Sequence, residues 1–132
     1  MHCWSSEDQN LPISSIEVFV NTSVSDSNYT LSDVRAIFAM RKTRWSDGKK
    51  IQVFVLADNQ VIHQKFTKSK LNMFPHQFRR IWDRLIFSGI GHGPHEVGSL
   101  DEMLEKISTV PNAIGYLETP VDNEKVMVLT YE

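Results

Sequence analysis

The run Ile51-Gln52-Val53-Phe54-Val55-Leu56 is apolar at five of its six positions, and it constrains the chain more than any other feature. A strand with one wet face alternates polar and apolar residues. A strand that is apolar nearly throughout has to be covered on both faces. The cover is visible on either side of the run. Leu31, Val34, Ile37 and Phe38 recur at helical spacing after Thr30-Leu31-Ser32-Asp33, a capping-box pattern, and predict a helix to about Met40. Asp58 or Asn59 can cap a second helix with Ile62 and Phe66 inward, which Leu71 to Phe74 breaks. Pro75 suits the first turn of a third helix, whose stripe is Phe78, Ile81, Trp82, Leu85 and Ile86 and whose end is Gly89. Ser99-Leu100-Asp101-Glu102 is a second capping box, ahead of Met103, Leu104 and Ile107, and Pro111-Asn112 stops that helix.

Strands complete the pattern. Ile16 to Val20 is a short β-rich run followed by a polar loop, Asn21 to Asn28. Trp45-Ser46-Asp47-Gly48 reads as a turn, as does Val121-Asp122-Asn123-Glu124. Ala113 to Leu117 and Val126 to Thr130 read as the last two strands. The order β-α-β-α-α-α-β-β predicts an α/β fold: three layers, α/β/α, around a mostly parallel mixed sheet. With 132 residues, 41% of them hydrophobic, the chain holds one core, assigned to residues 15–132, behind a polar tail at residues 1–14. No apolar run approaches the roughly 18 residues of a membrane span. The start, Met1 to Asp8, has none of the features of a secretory leader, so the chain is intracellular or its leader lies elsewhere. The single cysteine, Cys3, excludes an internal disulfide and a cysteine-only zinc site, and reads as a free surface thiol.

Charge is unevenly spread. Residues 41–84 carry eleven bases and three acids, net +8, between an N-terminal third at −4 and a C-terminal third at −6. Such a middle suits an anion-binding surface, or two solvated faces that answer each other. Nucleic acid is not expected as a partner, because no aromatic residues alternate with the bases and no recognition motif is present. Gly91-His92-Gly93-Pro94-His95 holds two histidines three apart, but in a glycine-rich loop without a third ligand, so it reads as a tight turn and no metal or other cofactor is expected. His63 has no nucleophile and orienting acid to work with, and reads as a solvated or half-buried residue. Trp45, Trp82, Phe78 and Phe87 read as core. No enzyme is predicted.

In open α/β sheets ligands sit beyond the carboxyl ends of the strands, where helix N–H groups and dipole favour an anion. The second helix starts just after the Ile51–Leu56 strand. If the first strand is its neighbour, the loop Asn21 to Asp26 lies close by. The candidate anion site is therefore Ser23, Ser25, Asp58, Asn59, Gln60 and His63.

The order of motifs resembles a known family. Leu31 to Phe38 followed by Trp45-Ser46-Asp47-Gly48 is similar to the opening of the phosphate-binding proteins of ABC transporters. Phe66-Thr67 matches a pair in their next helix, and Trp82, Phe87-Ser88-Gly89 and Gly91 a later segment. Val110-Pro111-Asn112-Ala113-Ile114-Gly115-Tyr116-Leu117 resembles their "TPGAIGYV" strand entry. The likeness spans about residues 16–118 and is strongest to short, one-lobe relatives. It implies one lobe of a type II periplasmic binding protein, a periplasmic location in a bacterium, and phosphate or another oxyanion as ligand. The family's anion loop, R-S-D-G-S-G-T-T, reads here Leu56-Ala57-Asp58-Asn59-Gln60-Val61-Ile62-His63. Only Asp58 of its polar set is kept. Without the arginine and hydroxyl donors, several charge-assisted bonds of about 1.5–3 kcal/mol each are missing. The alternative expectation is a protein-interaction module that keeps the fold and has lost the ligand, docking on another protein or a second copy.

Overall fold

The computed structural model describes residues 15–25, 28–89 and 91–131. The stretch read as a polar tail, with Cys3, lies outside them, as do Asp26 and Ser27 of the polar loop. Five strands and four helices follow in chain order: β1 (Ile16–Asn21), α1 (Leu31–Phe38), β2 (Gln52–Leu56), α2 (Val61–Ser69), α3 (Pro75–Ser88), β3 (His95–Val97), α4 (Leu100–Thr109), β4 (Ala113–Glu118) and β5 (Val126–Val128). They build one sheet in the order β3-β2-β4-β1-β5. The sheet is mixed: β2 is parallel to β3 and β4, whereas β1 is antiparallel to β4 and β5. Among the described residues, no helix is long and apolar enough to cross a membrane.

The three layers can be read off one strand. In β4 successive side chains face opposite ways. A Cβ on Gly115 would come within 2.6 Å of Met103 Sδ and 2.8 Å of Ile107 Cδ1, so that face carries α4, packed against bare backbone. The next residue, Tyr116, stacks on Phe66 of α2 at 4.1 Å between ring centroids and lies 6.2 Å from Phe38 of α1. The other face therefore carries α1 and α2. The third helix joins that layer through Trp82, whose indole N–H donates to the Phe38 carbonyl at 2.8 Å. Val53, Phe54, Val55 and Leu56 are all buried, as a doubly covered strand requires.

Several sequence expectations need correction. The loop Gly91 to His95 is not only a turn: it leads into β3, an edge strand too short for its pattern to show. Phe87 is 87% exposed, because it sits on the outer side of the last turn of α3, while Trp45, Trp82 and Phe78 are core as expected. The last strand ends at Val128 rather than Thr130. Finally, β1 does not neighbour β2. The strand between them, β4, is parallel to β2 and antiparallel to β1, so β1 runs the opposite way from β2.

Candidate functional site

The parallel strands β2, β3 and β4 end on one edge of the sheet. Ala57 to Gln60 leave β2 and lead into α2, while Gly98 and Ser99 leave β3 and lead into α4. The two helix starts are tied by Gln60, whose side-chain amide donates to the Gly98 carbonyl at 3.3 Å. Their finishing differs. Ser99 accepts the Glu102 N–H at 3.1 Å, and the Glu102 carboxylate accepts the Gly98 N–H at 2.8 Å, so α4 is closed by its own residues. The start of α2 has no side-chain cap and no acid in its first turn. Its cap position is Gln60, not Asp58 or Asn59 as the sequence suggested.

Asp58 does not cap the helix. Arg79, from α3, donates to it through Nε at 2.9 Å and Nη2 at 3.1 Å, a bidentate pair. The same guanidinium lies 3.6 Å from Asp83 and 3.9 Å from Glu96, and 5.2 Å from the centre of the Trp82 ring. The hydrogen bond to Asp58 is the main reason that the Arg79 pKa is raised still further.

Behind this pair runs a buried chain of polar groups. The Leu56 N–H donates to the Tyr116 hydroxyl oxygen at 2.8 Å, and that hydroxyl lies 2.6 Å from His63 Nδ1. In the tautomer where Tyr116 donates to Nδ1, the imidazole proton sits on Nε2. Nε2 is buried without a hydrogen-bond partner, and Asp58 Oδ1 is 3.9 Å away. Burial, more than the repulsion by Arg79, lowers the His63 pKa against the pull of Asp58, so the ring is neutral. Burial also raises the Tyr116 pKa strongly. The expectation of a solvated or half-buried His63 is corrected: it is 1% exposed, because α2 lays it between Tyr116 and Trp82.

Of the six predicted site residues, Asp58, Asn59, Gln60 and His63 share the carboxyl edge. Ser23 and Ser25 do not. The Ser23 hydroxyl accepts the Asn112 N–H at 2.9 Å, and the Asn112 carbonyl accepts from Gln52 at the start of β2. Both serines follow the end of β1 at the opposite edge, about 17–20 Å away across strands of five or six residues. The physical reason is the reversed direction of β1. Sequence reasoning missed Arg79 and Tyr116. Nothing local marks Arg79, which reaches Asp58 from another helix. Tyr116 carried a usable signal: a tyrosine inside an apolar strand needs a hydrogen-bond partner. Among the described residues there is no cluster of three histidine, cysteine, aspartate or glutamate side chains that could hold a metal. His95 lies instead 3.2 Å from the Gln52 side-chain oxygen, its ring over Phe54.

The fold is similar to that of solved transport receptors and substrate-binding proteins. The chain is similar to an ABC-type phosphate transport receptor from Vibrio cholerae (TM-score 0.68, 14% identity), covering 89% of this chain and 46% of that one. It is similar to a putative phosphate ABC transporter substrate-binding protein with bound phosphate from Clostridium perfringens (TM-score 0.71, 14% identity), with 89% and 45% covered. It is also similar to PstS from Borrelia burgdorferi (TM-score 0.60, 17% identity), with 80% and 40% covered. The chain thus spans less than half the length of these proteins and has the fold of a single lobe. No protein-family model matches the sequence, and no curated protein matches it significantly.

Proposed function

We propose that the chain acts as a single-lobe, solute-binding-like protein that holds a small oxyanion, phosphate among them, weakly at the start of α2, in uptake or sensing in a bacterial periplasm. The observation that carries this reading is the uncapped start of α2 beside the end of β2, where free N–H groups and the helix dipole favour negative charge. Binding is weak because Leu56 stands where the similar family has arginine. One lost charge-assisted bond of about 1.5–3 kcal/mol is one to two powers of ten in affinity. The protein acts by binding rather than catalysis, since Tyr116 and His63 are buried and spent on each other.

Backbone amide shifts during a phosphate titration test this. Saturable shifts at Asn59 to His63, in the millimolar range, are expected. A flat titration there removes the reading.

A second reading, a docking module that has lost its ligand, is favoured by one observation: Asp58 is already neutralised by Arg79 within the chain. Here Ile86 and Phe87, 49% and 87% exposed, form the apolar contact. Light scattering would show self-association that Phe87→Ser abolishes. A monomer at all concentrations would count against a second copy as the partner.

A further inference from the structure

Between α2 and the start of α3 lies an open cleft of about 340 Å³, lined by Asp58, Gln64, Lys68, Pro75, His76 and Arg79. It arises because the chain reverses at Asn72, which takes the left-handed conformation (φ 55°), and then enters α3 at Pro75. Gln64 and Lys68, four residues apart, share one face of α2, and α3 brings His76 and Arg79 opposite them. The lining itself carries two permanent bases and one acid, and Asp83 and Glu96 flank Arg79 from outside it at 3.6 Å and 3.9 Å. Arg79 takes both oxygens of Asp58. Among the described residues Lys68 makes no ion pair, its ammonium lying 5.7 Å from the centre of the Phe74 ring. His76 likewise has no acid, and its ring stacks on Phe74 at 5.7 Å. Phe74 itself is 52% exposed at the rim.

We propose that this cleft is an anion site built from side chains, distinct from the backbone site at the start of α2, and that it takes the phosphoryl group of a small phosphate monoester. Lys68 supplies the positive charge and His76 a ring nitrogen, while Arg79, already paired with Asp58, forms the wall beside them. The Gln64 amide, which donates to the Asp58 carbonyl at 3.3 Å, fixes the floor. The space exceeds what an anionic head fills and falls within the range of small-molecule sites, with Phe74 placed to cover an organic group.

The test is a titration with phenyl phosphate and, separately, inorganic phosphate, read by backbone amide shifts. Phenyl phosphate is expected to shift Lys68, His76 and Gln77 saturably and to bind more tightly than phosphate. Lys68→Ala should weaken it three- to five-fold, the scale of a lost exposed ion pair, and Lys68→Glu should abolish it. Lys49→Ala, an exposed lysine in the turn before β2, should change nothing. Equal affinity of the two probes would overturn the monoester preference. Indifference to Lys68→Glu, or equal weakening by Lys49→Ala, would overturn the site. Shifts confined to Asn59–His63 would leave the α2 site standing and remove the cleft, whereas shifts confined to the cleft would do the reverse.

Discussion

Helices α2 and α4 begin directly beyond the carboxyl ends of two neighbouring parallel strands, yet one start is closed and the other open. In α4 Ser99 accepts the Glu102 N–H, and Glu102 in turn accepts the N–H of Gly98 just ahead of the cap. In α2 the corresponding positions are Gln60 and His63. The glutamine reaches across to Gly98 and the histidine points into the core, so neither serves the helix end. The acid nearest to the open start, Asp58, is bound by Arg79. The contrast separates two uses of one motif. Where a helix start only has to be stable, local residues finish it. Where the local rule is broken without strain, the free groups are available to a ligand.

The comparison can be broken most severely at the seat of α4. Gly115→Val places carbon where Met103 and Ile107 already sit, and should cost about 2–3 kcal/mol as overpacking, seen as a lower urea midpoint. On the α2 side, Tyr116→Phe leaves the buried Leu56 N–H unpaired and should cost about 1–3 kcal/mol, with faster hydrogen exchange at Leu56.

Smaller changes sharpen the difference between the two starts. Ser99→Ala should cost about 1 kcal/mol, whereas Gln60→Ala should cost almost nothing, because only the first removes a cap. Gln60→Asp should do the opposite of both. It supplies α2 with a cap worth about 0.5–1 kcal/mol and suppresses phosphate-induced shifts at Val61–His63.

The smallest effect is in pH. Burial lowers the His63 pKa below its ordinary 6.5, so the unfolded chain takes up the proton first. Stability is complete above that ordinary value and falls as pH drops from there toward the folded-state pKa. Urea unfolding between neutral pH and about pH 5 should show this acid limb, and His63→Gln should flatten it.

Much of this architecture is legible in local sequence. Thr30 and Asp33 form the predicted capping box, with both reciprocal bonds, and Pro75 and Gly89 bound α3 as their backbone preferences require. The strand Gln52–Leu56 is covered on both faces because its side chains leave no wet side. Four of the six candidate residues fall together for the same reason, since Asp58 to His63 lie on the segment that joins a strand to a helix. Ser23 and Ser25 were assigned to the wrong edge, because nothing in β1 says which strand it will pair with.

The sequence by itself determined most of the elements, the starts of α1, α3 and α4, and most of the buried faces, all of which depend on residues within a turn or two of each other. Tertiary structure alone decided the strand order, the reversed direction of β1, the pairing of Asp58 with an arginine 21 residues away, and the burial of His63 against Tyr116. Those outcomes depend on which apolar faces meet in the packed core, and that is a property of the whole chain rather than of any segment.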